Sequence, residues 1–200
     1  MQRALWEPAS KNLAIEKLQR YAQVSDFQSL HKWTIENKEI FWRYVFKDCE
    51  VVGSLGDRDL VGNNFLGSDF FPDAQLNISD TLLKGDEKQI IITEISESGV
   101  MKEYSRGQVR RISNQVAFRL QEIGLKEGDV VSAIVANVAE TVFFALGALK
   151  IGAIFSSTSA DFGTATILDR LEQIRPEVLL ITTSYQYNGK KIDCSEKIAE

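Results

Sequence analysis

Residues 126–158 read KEGDVVSAIVANVAETVFFALGALKIGAIFSST, and this stretch decides the fold of the chain. The apolar run 130–136 has the length of a strand and lies between the turn residues Gly128-Asp129 and Asn137. A run that is apolar on both faces is typical of a central strand in a parallel sheet. The stretch therefore predicts a buried strand that leads directly into a second regular element.

That second element is a helix. Its apolar residues recur at helical spacing, at Val142, Phe143, Leu146 and Leu149. Asn137 is placed to cap the helix, and Glu140, three residues later, is placed to reach back to the cap. Gly152 is placed to end it, because glycine adopts the left-handed conformation that closes many helices.

The alternation continues after Gly152. Residues 153–157 predict a second strand, residues 166–174 a second helix that ends before Pro176, and residues 178–182 a third strand. Strand, helix, strand, helix and strand with short links are typical of an α/β fold with a doubly wound, mostly parallel sheet.

In doubly wound sheets, ligands bind beyond the carboxyl ends of the strands. Those ends fall at residues 136–137, 156–163 and 182–187, and the middle segment, SSTSADFG, leads into a predicted helix. One interpretation of that segment is a turn in which Asp161 or Thr164 caps the helix. The other is a rim that contacts a nucleotide or coenzyme, where the Asp161 carboxylate suits a ribose hydroxyl or an amine better than a phosphate.

Two lysines follow the third strand. Lys190 and Lys191 close the segment SYQYNGKK, residues 184–191, which is predicted to be a turn. They would either neutralise a phosphate group or be exposed turn residues, and the residues alone leave both interpretations open.

The first 84 residues lack this alternation. Trp6 and Pro8 predict an extended tether, and residues 26–46 predict aromatic-rich helices that are interrupted at Thr34 or Asn37. We therefore divide the chain into a helical N-terminal extension, residues 1–84, and an α/β domain, residues 85–200.

A predicted hairpin and a long helix open the α/β domain. Residues 89–95 and 100–104 predict the two strands, and Ser105 with Gln108 has the spacing of a capping box at the helix start. Four arginines lie outside the apolar stripe of this helix and are predicted to be solvated charges rather than an anion site: Arg106, Arg110, Arg111 and Arg119.

Composition narrows the class of protein. The 200 residues carry a formal net charge of -5, and the pI is about 5.1, which argues against a nucleic-acid-binding surface. The sequence has two isolated cysteines, Cys49 and Cys194, and one histidine, His31, which are too few to predict a zinc site. The two cysteines are predicted to be free thiols in a reducing cytoplasm. The sequence predicts no secretory leader and no membrane span.

The sequence lacks the short motifs of several nucleotide-binding and hydrolytic enzyme classes. There is no GxxxxGK[ST], no GxGxxG after a strand, no HExxH and no GxSxG. A predicted helix is unfinished at Glu200, so we expect the chain to be an N-terminal piece of a longer protein.

Several stretches together resemble the adenylate-forming enzymes, which include acyl-CoA synthetases, luciferases and peptide-synthetase adenylation domains. The pattern of that family runs G-x-x-x-G-D-x-V, then N-x-x-E, then L-x-x-x-K-x-G-A. The matching residues are Gly124, Gly128-Asp129, Val131, Asn137, Glu140, Lys150 and Gly152-Ala153. Each part is weak alone, but the set is specific.

Other stretches are similar to one branch of that family, the acetyl-CoA and acetoacetyl-CoA synthetases. LHKW at residues 30–33 and FPDAQLN at residues 71–77 resemble the N-terminal extension of the branch. DFG at residues 161–163, followed by LDR at 168–170 and QIRP at 173–176, is most similar to its acetoacetyl-CoA synthetases.

The resemblance implies an AMP-forming acid–CoA ligase that uses ATP, Mg²⁺ and CoA. The acid, acetoacetate in the branch that fits best, attacks the α-phosphate of ATP, and the CoA thiol then displaces AMP from the acyl-adenylate. The catalytic and metal-binding motifs of the family are absent here, so we expect no catalytic residue, no metal ligand and no activity in this chain alone. Another short-chain acyl-CoA synthetase, acting on acetate or propionate, and a binding module without an active site are the alternatives.

The resemblance also implies one wall of a site for the nucleotide end of CoA. In related acetyl-CoA synthetases the coenzyme contacts the loop equivalent to residues 159–162 and basic residues in the turn equivalent to residues 188–191. The candidate cofactor-binding residues are Asp161, Phe162, Lys190 and Lys191. The expected partners are the acid substrate and the remainder of the protein's own chain, without nucleic acid or membrane.

Overall fold

A computed structural model describes residues 13–62, 64 and 66–199 of the chain. The chain divides into two compact units, Met1–Gln75 and Leu76–Glu200. The predicted tether at Trp6 and Pro8 lies outside the described residues.

Three helices form most of the first unit: α1, Ala14–Ala22; α2, Phe27–Glu36; and α3, Lys38–Asp48. Asp26 caps α2 because its carboxylate accepts a hydrogen bond from the Ser29 N–H at 2.9 Å. Asn37 separates α2 from α3, and its side-chain amide donates to the Trp33 carbonyl at 3.0 Å. The predicted helical extension is therefore confirmed, with Asn37 as the point of interruption.

Short strands follow the helices: β1, Gly53–Ser54; β2, Leu60–Val61; β3, Asp69–Phe70; and β4, Gln75–Leu76. β2 and β3 pair antiparallel. The Asp73 carboxylate forms an ion pair with the Arg58 guanidinium and accepts a further hydrogen bond from the Arg58 N–H at 3.3 Å. This contact closes the loop because it joins the segment before β2 to the segment after β3.

The second unit opens with α4, Ile78–Leu82, and with an antiparallel hairpin of β5, Ile90–Ile95, and β6, Met101–Ser105. The long helix α5, Arg106–Glu122, starts at the predicted capping box. Ser105 Oγ accepts from the Gln108 N–H at 3.3 Å, and Gln108 Oε1 accepts from the Ser105 N–H at 2.8 Å.

A three-stranded parallel sheet forms the centre of this unit. Its elements are β7, Val130–Val135; α6, Ala139–Lys150; β8, Ile154–Ser159; α7, Thr164–Ile174; and β9, Val178–Ile181. The strand order is β8-β7-β9, so the first strand lies between the other two. The chain thus winds from the central strand to one side and then to the other, as the sequence predicts.

Each face of this sheet packs against its own helices. Val131 contacts the cluster that contains Leu120 of α5 and Ala148 of α6. Ile134, an odd number of residues further along, points to the opposite face and packs with Ile167 of α7. Val131 is fully buried and Ile134 is 3% exposed, which explains why β7 is apolar on both faces.

The segment predicted to be a turn at residues 184–191 is instead part of a second hairpin. Its strands are β10, Ser184–Tyr187, and β11, Lys190–Asp193, and α8, Ser195–Ala199, follows them. The turn itself contains only Asn188 and Gly189, with φ of 50° and 72°. Positive φ at both central residues is what a type I′ hairpin turn requires, and Asn-Gly is well suited to it.

The predicted cap of α6 is wrong. The helix starts at Ala139, and Val138 occupies the cap position without a side-chain hydrogen bond. The Ala139 N–H donates instead to Glu94 Oε2 of β5 at 2.9 Å. A helix N–H can donate to any suitably placed oxygen, so a carboxylate from the hairpin replaces the local cap that Asn137 and Glu140 suggest.

The prediction that the arginines of α5 are solvated charges is wrong at two positions. Arg106 Nη1 donates to the Leu82 carbonyl at 3.0 Å, and the Arg110 guanidinium donates to the Leu83 carbonyl. The end of a helix leaves carbonyl groups without partners, so these arginines attach the end of α4 to α5.

Candidate functional site at the carboxyl ends of the strands

A crevice of about 940 Å³ lies where the sheet rule predicts a ligand, at the carboxyl ends of the strands. The turn after β7, residues 135–138, forms one part of its floor. Residues 159–161 after β8 and Thr182 after β9 form the other parts. The parallel sheet brings these three segments together because all of its strands end at the same edge.

Two hairpins wall the crevice. Ile95, Ser96 and Glu97 come from the end of β5 and the turn after it, and Tyr185, Tyr187 and Lys191 come from β10 and β11. The two walls are joined at Glu97. Its Oε1 accepts from the Asn188 N–H at 2.9 Å, and its Oε2 accepts from the Gly189 N–H at 3.0 Å. These two N–H groups hold the pKa of the Glu97 carboxyl below its usual value.

The structure brings two of the four predicted site residues into the lining of the crevice, Asp161 and Lys191. Lys190 lies opposite Tyr187 at the end of the β10–β11 hairpin, one residue before Lys191. Phe162 follows Asp161, is 37% exposed, and has the Arg170 guanidinium carbon 5.0 Å from its ring centroid. Phe162 and Lys190 are therefore neighbours of the lining residues rather than part of the lining.

The interpretation of residues 156–163 as a helix-capping turn is wrong. Neither Asp161 nor Thr164 caps α7, because Gly163 occupies the cap position without a side-chain hydrogen bond. The Asp161 side chain is thus available to the crevice. Burial and the nearby Asp161 carboxylate both raise the pKa of the Tyr185 hydroxyl.

Sequence reasoning missed the residue that fixes the loop after β8. Lys197 of α8 donates through Nζ to the Ala160 carbonyl at 2.6 Å and to the Phe162 carbonyl at 2.7 Å. An ammonium group bonded to two carbonyls on either side of Asp161 restricts the backbone that carries this carboxylate. The sequence predicted a helix in this segment, the one that is unfinished at Glu200, but nothing in it indicated which groups Lys197 would contact.

The lining of the crevice suits a polar ligand with an anionic group. Lys191 offers a positive charge, Asp161 accepts from hydroxyl or amine groups, and the Tyr187 side chain is 68% exposed beside them. Such groups can contact a ligand that carries phosphate, hydroxyl or amine groups and an aromatic ring.

Across residues 13–62, 64 and 66–199, no group of three or more His, Cys, Asp or Glu side chains is placed to hold a metal ion. No helix in the same residues is both long enough and apolar enough to cross a bilayer.

A doubly wound sheet with a crevice at its strand ends is an architecture that many nucleotide-binding enzymes share. The family model described as "AMP-binding enzyme" matches residues 86–200, and the chain belongs to that family.

Within known proteins, the chain is similar to acetoacetyl-CoA synthetases. An acetoacetyl-coenzyme A synthetase of Rhizobium meliloti is 33% identical over 175 residues, which cover 87% of this chain and 27% of that protein. An acetoacetyl-CoA synthetase of Danio rerio is 30% identical over 208 residues, 98% of this chain and 31% of that protein. The solved structure of an acetoacetyl-CoA synthetase from Streptomyces lividans matches with a TM-score of 0.90 and 25% identity, over 99% of this chain and 33% of the other. The chain thus spans about a third of the length of these proteins.

Proposed function

We propose that this chain belongs to an acetoacetate–CoA ligase, which forms acetoacetyl-CoA from acetoacetate, ATP and CoA. The observation that carries the proposal is the match to acetoacetyl-CoA synthetases along nearly the whole chain, in sequence and in fold. The acid attacks the α-phosphate of ATP, which releases pyrophosphate, and the CoA thiol then displaces AMP from the acyl-adenylate. Such chemistry depends on positioning and on stabilisation of negative charge rather than on a protein nucleophile.

We assign the crevice at the strand ends to the site that binds the nucleotide end of CoA, of which this chain would supply one side. Lys191 neutralises a phosphate of the coenzyme, and Asp161 accepts a hydrogen bond from a ribose hydroxyl or an amine. Lys190 and Phe162 flank these two residues and form the outer part of the same contact. The placement of Asp161 and Lys191 in one crevice supports this assignment.

The proposed organisation is an N-terminal extension, residues 1–84, followed by the first part of the AMP-binding domain, residues 85–200. The family match begins at residue 86, which supports this boundary. We assign no catalytic residue and no metal ligand to the described part of this chain. Other segments of the complete protein would bind Mg²⁺ and make most of the contacts with ATP. The free thiols of Cys49 and Cys194 support a cytoplasmic location.

The experiment is to measure AMP formation by the complete protein with ATP, Mg²⁺ and CoA, over acetate, propionate, butyrate and acetoacetate. We expect a clear preference for acetoacetate and a requirement for CoA. A preference for acetate or propionate would replace the proposal with another short-chain acyl-CoA synthetase. A folded protein that forms no AMP with any of these acids would favour a binding module without an active site.

A further inference from the structure

The Glu97 carboxylate connects the two hairpins that wall the crevice. Glu97 lies in the turn between β5 and β6, and both of its oxygens bind N–H groups in the turn between β10 and β11. The bonded residues, Asn188 and Gly189, are 91 and 92 residues further along the chain. This is a tertiary contact between two separate supersecondary elements rather than a local turn.

The β10–β11 turn is shaped to receive an anion. Asn188 and Gly189 both have positive φ, and their successive N–H groups converge on one carboxylate. Successive backbone N–H groups in a turn form a concavity that favours negative charge. The same contact keeps Glu97 in its charged form, since its pKa is lowered by these two N–H groups.

The β10–β11 hairpin depends on contacts outside itself. It is a two-stranded sheet of four residues in each strand, and such a hairpin is marginally stable alone. At its base, Tyr185 packs against a buried cluster that includes Ile167 and Cys194. At its tip, the hydrogen bonds to Glu97 hold it. Lys191 lies near the tip, so the position of its ammonium group depends on that contact.

We propose that Glu97 is a positioning residue that holds the tip of the β10–β11 hairpin, and with it Lys191, against the crevice. Glu97 would then set the affinity of the crevice for its anionic ligand without contributing to acid activation. The identification of this ligand as CoA rests on the proposed function.

The experiment compares two variants of the complete protein, Glu97→Gln and Glu103→Gln. Glutamine has one carbonyl oxygen and an NH₂ group, so Glu97→Gln can accept only one of the two hydrogen bonds and presents a donor to the other N–H. Glu103 lies on β6 of the same hairpin and is exposed, so Glu103→Gln removes the same charge without touching the β10–β11 turn.

Three quantities are measured: the KM for CoA, the acid-dependent exchange of pyrophosphate into ATP without CoA, and the hydrogen exchange of residues 184–193. For Glu97→Gln we expect the KM for CoA to rise at least about tenfold, the fold-change that corresponds to the lower end of the cost of one lost hydrogen bond to a charged group. Pyrophosphate exchange should stay within about twofold, because adenylation does not use CoA. Amide exchange in residues 184–193 should accelerate, and Glu103→Gln should match the unsubstituted protein in all three.

Two results would overturn the proposal: unchanged hydrogen exchange in Glu97→Gln, or an equal loss of pyrophosphate exchange and CoA-dependent turnover. A failure of the proposed function is distinguishable from these results. If the unsubstituted protein neither exchanges pyrophosphate nor uses CoA, the ligand assignment is overturned, and the hydrogen exchange still supports or overturns the role of Glu97 in holding the hairpin.

Discussion

At the scale of single residues, two lysines, Lys191 and Lys197, have different roles at the crevice. Lys191 is part of the lining, where its charge is available to a ligand. Lys197 lies behind the loop after β8 and uses its ammonium group on two backbone carbonyls. On the proposed assignment, Lys191 contacts the ligand directly, and Lys197 fixes the loop that carries Asp161.

Replacement of Lys191 by methionine removes the charge and keeps the length of the side chain. We expect the KM for CoA to rise about tenfold, because a charge-assisted hydrogen bond to phosphate is lost. Steady-state kinetics at several salt concentrations measure this, and the salt dependence of the KM should weaken in the variant. Lys126→Met is the matched control, since Lys126 precedes β7 at the opposite end of the sheet; an equal effect there would contradict the assignment.

Replacement of Lys197 by methionine removes two hydrogen bonds to the loop at Ala160 and Phe162. We expect a severalfold rise in the KM for CoA and a lower Tm, because the loop that carries Asp161 loses its support and the lost bonds come from a charged donor. Thermal unfolding and CoA kinetics measure the two effects. Glu196→Gln on the same helix is the control, and a Lys197→Met variant with unchanged kinetics would show that the loop holds its shape without the lysine.

Individual residues also show which contacts could not be predicted from the sequence. The rule that ligands bind at strand ends drew attention to the segment with Asp161, and the family resemblance then added Lys191 as a candidate. It did not select Glu97 or Lys197, because their partners are 91 and 37 residues away and are backbone groups. A residue's type does not show whether its backbone N–H or carbonyl will bind a distant side chain, so such contacts can be identified only from the structure.

At the scale of elements, the start of α6 depends on another element. Glu94 of β5 accepts from the Ala139 N–H and from Lys102 Nζ at 3.1 Å, and its side chain is 14% exposed. Both contacts lower the pKa of the Glu94 carboxyl. The hairpin is thereby attached to the helix that follows the central strand.

The Glu94→Gln variant tests this attachment through pH. A carboxyl whose native pKa is lowered contributes stability above its unfolded-state pKa of about 4.3, and that contribution is lost as the pH falls through the native value. We expect Glu94→Gln to cost about 1 kcal/mol near neutral pH, the usual cost of a lost helix cap. Denaturant unfolding at neutral pH and below about pH 4 measures it. A cost that is equal at both pH values would contradict this role.

The contact between α5 and α6 requires glycine at residue 147. A Cβ atom there would lie 2.6 Å from Val116 Cγ1 and 2.9 Å from the Ser113 carbonyl oxygen. We expect Gly147→Ala to destabilise the protein by about 1–3 kcal/mol, because the packed helices must move apart. Gly163→Ala is the control, since a Cβ at residue 163 would meet nothing within 4 Å. Equal unfolding free energies for the two variants would contradict the close packing.

The elements themselves were predictable, and their ends were less so. The sequence placed β7, α6 and α7 to within a few residues, because their apolar spacing reflects the two buried faces of the sheet. The cap of α6 was wrong because a distant carboxylate took the place of the local one. The β10–β11 hairpin was missed because strands of four residues give a short pattern.

At the scale of the whole molecule, the crevice is assembled from five separate segments. Three follow parallel strands, and two belong to antiparallel hairpins. The parallel part of the site followed from the predicted strand ends, whereas the hairpin walls did not, because the β10–β11 hairpin is held by a contact with Glu97 that is distant in sequence. The division of the chain at residues 84 and 85 stays a prediction from composition and resemblance.

The central claim is that this crevice holds the nucleotide end of CoA. The measurement that tests it most directly is hydrogen–deuterium exchange of the complete protein with and without CoA. We predict slower exchange with CoA in residues 159–163 and 184–193, where the loop after β8 and the β10–β11 hairpin line the crevice. CoA binding that slows exchange elsewhere and leaves both segments unchanged would contradict the claim.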